Sequence, residues 1–463
     1  MTANWFAYFA LASWPIVVVF FFRSLPAAKA TALTIFSALL LLPPEVSVKV
    51  EMIPALDKQS IPSLCALVGC LLVGQRSKSI RFGFGLVEAL TVTYIFSPFF
   101  TSALNNDTIF VGARVIPGVG IYDAVSTMLS QLIAFLPFLL GRYFLHRPAD
   151  TENILKIIVV GGLLYSLPML FEVRMSPQLS KWIYGYFPSS FPTEGRYGGF
   201  RPVVFFDNGL ALAFFTMTSL LASVALWRAK MRFRNLPAPA VLGYLAFVLV
   251  LCKSMGALVY AFLAGPLIGW GRPRSCVRVA VLLVGIALLY PLLRAEAIFP
   301  NKLLVDIAKE VNEERAGSLQ TRFEQEQQLL DRSSQRPIFG WGRYGRSRVY
   351  DDYGKDVSLT DGLWIITLGQ FGIVGFLSLF GLLALPVFRT ASALKLSESA
   401  RDRLFLGTLA LIVGLGMVEQ LPNASLSAWS WLLAGSLLGR AENLRSTTSE
   451  RKERHSRNIG FAR

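Results

Sequence analysis

Leu288-Leu289-Tyr290-Pro291-Leu292-Leu293 closes one apolar run and Gly362-Leu363-Trp364-Ile365-Ile366 opens another; between them, from Arg294 to Asp361, lies the only extended polar insertion in the sequence. The insertion holds a charged helical pattern, the turn-rich Arg336-Pro337-Ile338-Phe339-Gly340-Trp341-Gly342, and Asp361 at its exit. Apolar runs of the length that crosses hydrocarbon, about 17–25 residues, recur along the chain. Only helices or closed barrels satisfy their backbone in lipid, and the alternation of barrel strands is absent. The reading is an all-α, polytopic integral membrane protein whose insertion forms an external lid over a membrane-embedded site.

Composition agrees. The 463 residues are 54% hydrophobic and 16% charged, with a mean hydropathy of +0.52, whereas a soluble domain is about one-quarter charged. A net charge of +16 invites a nucleic-acid partner. That partner is rejected, because Lys and Arg lie in short segments between apolar runs, as in cytoplasmic loops. Cys65, Cys70, Cys252 and Cys276 make neither a disulfide framework nor a metal-ligand spacing. The run 5–22 lacks a preceding positive residue and a clear cleavage site, so it reads as a first span and not as a signal peptide.

About thirteen spans are predicted, near 5–22, 30–46, 61–75, 84–102, 123–144, 154–172, 205–227, 237–252, 255–271, 277–294, 362–387, 402–420 and 425–439. Basic residues follow the odd-numbered spans: Arg23 and Lys29; Arg76, Lys78 and Arg81; Arg142 and Arg147; Arg228, Lys230, Arg232 and Arg234; Arg272, Arg274 and Arg278; Arg389, Lys395, Arg401 and Arg403. That side is the cytoplasm by the positive-inside rule. The N-terminus then faces out, as do 103–122, 172–204, Cys252–Ser254, 295–361 and Glu419–Asn423. The chain divides into membrane helices 1–294, an external loop domain 295–361, membrane helices 362–440 and a basic cytoplasmic tail 441–463, expected to be disordered and to anchor near anionic lipid.

The two histidines, His146 and His455, fall on the cytoplasmic side, so the outward face works with Arg, Lys and carboxylates. In the loop Glu194-Gly195-Arg196-Tyr197-Gly198-Gly199-Phe200-Arg201-Pro202, Arg196 and Arg201 stand among glycines that let a guanidinium approach an anion. They are either anion ligands or solvated headgroup-level residues. Lys253 interrupts two apolar runs, where a cation either snorkels or finds a functional partner. Within the insertion, 302–314 and 318–332 read as helices. Leu319, Phe323 and Leu330 form an apolar stripe flanked by Arg322 and Glu326. Arg322 is then a surface ion-pair partner or an anion ligand, while Asp331, Asp351, Asp352 and Asp356 read as solvated charges. Asp361 immediately precedes a span, either as a helix cap or as a base poised at a membrane-level cavity.

In order, Phe200-Arg201-Pro202, Asp207-Asn208-Gly209, the Lys253-Ser254 turn, Arg322, the 336–342 motif, Asp361 and Gly369-Gln370-Phe371-Gly372-Ile373-Val374-Gly375-Phe376 resemble the O-antigen ligase and polysaccharide polymerase superfamily, with bacterial exopolysaccharide polymerases the nearer likeness. The resemblance covers roughly 155–390. It implies a cofactor-free, metal-independent glycosyl transfer at the outer face of the bacterial inner membrane, in exopolysaccharide or lipopolysaccharide biosynthesis. The donor would be an oligosaccharide on undecaprenyl diphosphate; the acceptor would be another glycan or lipid-linked glycan, beside other assembly and export proteins. Arg196 or Arg201, Lys253 and Arg322 would bind the diphosphate, and Asp361 would be the catalytic base. Two positions depart from the ligases, which usually carry His-Asn where Asp361-Gly362 stands and Ser-Arg at the Lys253 turn. Both departures favour a polymerase. The alternatives are a ligase that moves finished glycan to lipid A–core, and a transporter or flippase of lipid-linked glycan. No internal repeat of the transporter kind is visible, and the charges gather in outward loops.

Overall fold

Each predicted span falls on a helix. The computed structural model describes residues 3–50, 53–73, 85–189, 191–196, 198–231, 237–311 and 313–460. Its elements run α1 (Trp5–Ser24), α2 (Ala27–Leu41), the hairpin β1 (Ser47–Val50) and β2 (Ile53–Asp57), α3 (Ser60–Val73), α4 (Leu86–Ala103) and the hairpin β3 (Ile109–Val111) and β4 (Arg114–Ile116). Then come α5 (Ile121–Phe144), α6 (Pro148–Met175), α7 (Leu179–Tyr184), the hairpin β5 (Gly195–Arg196) and β6 (Gly199–Phe200), α8 (Gly209–Arg228), α9 (Ala238–Leu251) and α10 (Met255–Gly269). The chain closes with α11 (Pro273–Ala295), α12 (Asn301–Val311), α13 (Glu313–Ser334), α14 (Leu363–Ala393), α15 (Ala400–Glu419) and α16 (Ala428–Gly460). Among the described residues, seven helices are long and apolar enough to cross a membrane: α1, α4, α5, α6, α8, α11 and the segment Leu363–Leu396. Four shorter apolar helices, α2, α3, α9 and α10, accompany them.

Local chemistry sets the helix ends. Asn4, Asn208 and Ser399 cap α1, α8 and α15, each accepting a backbone N–H from the first turn. Pro148 and Pro273 open α6 and α11 at positions whose N–H would go unused. Gly372, at φ +64°, breaks α14 internally. The freed backbone there pairs with the 336–342 motif: Trp341 N–H donates to the Gly369 carbonyl at 2.8 Å, and Ile373 N–H to that of Pro337 at 2.8 Å. Two turn-rich motifs far apart in sequence thus complete one another.

Helix α8 forms the centre of the bundle and is buried along almost its whole length. The peripheral helices instead leave large apolar side chains bare, among them Trp5, Phe20, Leu72, Leu164, Phe262 and Leu282. A soluble monomer rarely exposes so much contiguous apolar surface; lipid covers it without cost. Helices α5 and α16 touch backbone to backbone, since a Cβ on Gly435 or Gly439 would strike the carbonyl oxygen of Phe138 or Arg142. This is the small-residue packing that membranes favour.

The connections segregate to two ends. At one, Arg142 pairs with Glu88 and Glu442, both at 2.8 Å, Arg401 with Glu152 at 3.0 Å, and Arg440 with Asp402 at 2.8 Å. At the other, Asn4 N–H donates to the Tyr184 carbonyl at 2.9 Å, and Arg336 reaches Asp107 at 2.9 Å. The predicted outward loops and the N-terminus therefore share the second end.

Three expectations are corrected. The described part of the tail, 441–460, is helical, as the continuation of α16. From Arg440 to Asn458 no Gly or Pro interrupts it. The connection 42–59, absent from the predicted outward loops, folds as a hairpin against 184–206, with Tyr184 and Tyr186 hydroxyls donating to the Leu41 and Pro44 carbonyls. Asp356 is not simply solvated, for it pairs with Arg348 and accepts from the Ser358 hydroxyl. Arg76, Lys78, Arg81, Arg232 and Arg234 lie outside the described residues, as do the side chains of Arg196 and His455.

Candidate active site

Arg201 is fixed before it can bind anything. The β5–β6 turn returns the chain so that Arg201 N–H donates to the Glu194 carbonyl at 2.9 Å, and its guanidinium stands 3.6 Å from the Glu194 carboxylate. Both side chains are buried. Glu194 also accepts from Gly209 N–H at 3.3 Å, at the positive end of α8. Behind Arg201, the buried Glu172 carboxylate accepts backbone N–H bonds from Val203 at 2.8 Å, Val204 at 2.7 Å and Leu179 at 3.0 Å. The Tyr165 hydroxyl accepts from Phe205 N–H at 3.0 Å. Sequence reading singled out none of these three supports.

Lys253 sits in the α9–α10 turn at φ +50°, with its ammonium lying on the backbone of Gly199: a Cβ there would stand 2.4 Å from Nζ. Gly209 plays the same part for Arg201, whose Cδ would be 2.2 Å from an added Cβ. Gly199 and Gly209 make room for the two cations.

Arg322 comes from the external insertion. Its helix, α13, is clamped by the buried Arg294, which donates to the Phe323 carbonyl at 2.9 Å and stands 3.4 Å from Glu326. Tyr290 donates to the same carboxylate at 3.0 Å. Burial pushes the Glu326 carboxyl up, and the Tyr290 bond and the Arg294 charge pull it back. Of the apolar stripe only Leu330, beside Leu329, is buried, while Leu319 and Phe323 are part-exposed.

Arg201, Lys253 and Arg322 line one cavity of about 280 Å³, together with Tyr260, Glu419 and Asn423. A second cavity of about 190 Å³ adjoins it through Arg322 and Pro422, and there Asp361 stands among Tyr290, Leu319, Phe323 and Leu421. Arg322 Nε lies 3.5 Å from Asp361 Oδ2, with both side chains close to half exposed, so the pair contributes about 0–1 kcal/mol and is readily exchanged for another anion. Four of the five proposed site residues therefore surround one junction; the fifth, Arg196, has its side chain outside the described residues. Arg336, Trp341 and Arg346 do not join them. Arg332 and Arg336 both pack on the Trp341 ring, at 3.5 and 4.2 Å from its centroid, and Arg346 is enclosed by Asp107 and the carbonyls of Trp341, Asp107 and Pro117. The Arg336 hydrogen bond, with the charges of both arginines, holds the Asp107 carboxyl below its ordinary value. The 336–346 region is a scaffold.

Glu419 is the site residue the sequence reading missed. It ends α15, is 8% exposed, accepts from Asn423 Nδ2 at 2.7 Å and is hydrogen-bonded to the Tyr260 hydroxyl. The signal was present: an acid closing an apolar helix is costly without a partner, and no basic residue lies within ten positions of it in sequence. Chemically, three cations from three separate connections can compensate a polyanion, and two nearby carboxylates can accept a proton. No known protein family matches the chain in sequence, and no curated protein matches it.

Proposed function

We propose that this chain is an integral-membrane glycosyltransferase of the polysaccharide polymerase type, crossing a bacterial inner membrane about thirteen times. It takes an oligosaccharide from undecaprenyl diphosphate and joins it to another glycan or lipid-linked glycan at the periplasmic face. The single observation that carries this reading is the meeting of Arg201, Lys253 and Arg322, drawn from three separate connections, around one cavity at the loop end of the bundle. A diphosphate leaving group develops negative charge as the glycosidic bond breaks, and preorganised cations stabilise that charge. In this reading the cations do the work elsewhere done by a metal. The apolar sides of the bundle suit a lipid-borne donor, which reaches the site laterally from the membrane. Assembly and export proteins complete the setting.

The test is to delete the gene and label the glycans of the cell. Single repeat units accumulating on lipid support the polymerase. Long polymer left on lipid would identify a ligase, and repeat units trapped on the cytoplasmic leaflet would identify a flippase. Unchanged glycans would overturn all three.

A further inference from the structure

We propose that Glu419, and not Asp361, takes the proton from the acceptor hydroxyl; the inference rests on the glycosyl-transfer reading above. Both carboxylates stand near Arg322, but in different surroundings. Asp361 has a side chain 46% exposed, lines the smaller cavity and faces Arg322 at 3.5 Å. Glu419 is buried and lines the same cavity as all three cations.

A carboxylate inside an anion-binding cavity works against binding, because like charge repels the donor. A site built only to hold a diphosphate would leave it out. Glu419 is nonetheless held in place from two sides. Asn423, across the 420–423 turn, donates to Oε1 at 2.7 Å, and Tyr260 approaches from α10, the helix that opens directly after the Lys253 turn. Base and cation are therefore fixed relative to one another through one short segment. In the step itself, the acceptor oxygen attacks the anomeric carbon, the bond from that carbon to the phosphate oxygen breaks, and the diphosphate leaves with the electron pair beside the cations. The hydroxyl proton passes to Glu419. Asp361 is then a positioning residue that keeps Arg322 turned toward the junction until donor phosphate displaces it.

The test uses the purified full-length protein in lipid nanodiscs, with the polyprenyl-diphosphate-linked glycan extracted from cells lacking it. E419Q is expected to lower kcat by 10²-fold or more, while binding undecaprenyl diphosphate at least as tightly as wild type, since it removes a repelling charge. Azide, a nucleophile with no proton to lose, is expected to form glycosyl azide with E419Q as fast as with wild type. E419D, which keeps the carboxylate one methylene short, retains measurable turnover and confirms that the site folds. D361N is expected to raise KM several-fold and to leave kcat within a few-fold. Turnover by E419Q near that of wild type, or loss of kcat in D361N with E419Q active, would overturn the assignment and leave glycosyl transfer standing. Weakened donor binding in E419Q without azide turnover would show a structural role and overturn it as well. An inert wild-type protein would overturn both.

Discussion

Gly209→Ala separates the positioning of Arg201 from the stability of the fold. Gly209 opens α8, where alanine is by itself a better helix former by up to about 1 kcal/mol. The added methyl, however, would lie 2.2 Å from Arg201 Cδ, 2.5 Å from Cγ and 2.7 Å from Glu194 Oε2. Ordinary contact begins near 3.4 Å, so the arginine stem must withdraw by about 1.2 Å. The backbone on either side is held, Arg201 to Glu194 and the following turn to Glu172, so the side chain yields and carries the guanidinium with it. A displacement of that size in a positioning group costs about 10²-fold in rate. Glycan transfer in nanodiscs is expected to fall by that factor while thermal unfolding in detergent stays within a few degrees of wild type. Gly243→Ala, whose Cβ would meet no heavy atom within 4 Å, serves as control and should leave both unchanged. Full transfer by Gly209→Ala would refute the claim that Arg201 must sit where it does.

Three further outcomes follow from the same geometry. Glu172→Ala leaves three backbone N–H groups without their acceptor; at about 1–3 kcal/mol for each that stays buried, it should lower the unfolding midpoint sharply and open 176–204 to protease. Trp341→Leu removes two guanidinium–ring contacts, together about 1–3 kcal/mol, and should speed hydrogen exchange in the 335–346 region without changing the span helices. Lys58 has a part-exposed stem but an enclosed ammonium that donates to the Phe205 carbonyl, and burial lowers its pKa to about 8, against the pull of Asp207. The folded state therefore binds fewer protons than the unfolded one between pH 8 and the ordinary value of 10.5. Its stability relative to Lys58→Met should rise across that window and be flat below it, as read from unfolding midpoints at pH 7 and 10.

The bundle was legible because apolar runs and the basic residues between them are written at a scale that lipid enforces. Much of the junction was legible too: Arg201, Lys253, Arg322 and Asp361 are polar residues placed where apolar ones end, and such residues need partners. What escaped was whatever depends on contact between distant segments. Glu419 shows in sequence only as an acid in want of a partner, and its place in the site emerges once Arg322 and Lys253 are brought beside it. Glu172 reads as a span terminus until it accepts three N–H bonds, two of them from residues some thirty positions on. The 336–342 motif reads only as a turn-rich stretch, yet it pairs with the Gly372 break of α14 and so belongs to the scaffold. The helical tail was missed because a charged, weakly apolar segment looks disordered by composition, whereas α16 simply continues through it with nothing to stop the helix.

The central claim is that Arg201, Lys253 and Arg322 together form an anion site for the lipid diphosphate. Titration of undecaprenyl diphosphate and of uncharged undecaprenol into nanodiscs holding wild type, each single alanine variant and the triple variant tests it most directly. At about 1.5–3 kcal/mol for a charged contact, each single variant should weaken diphosphate binding by about tenfold or more and the triple variant should abolish it, with undecaprenol binding unmoved. Equal diphosphate affinity in the wild-type and triple-variant proteins would contradict it.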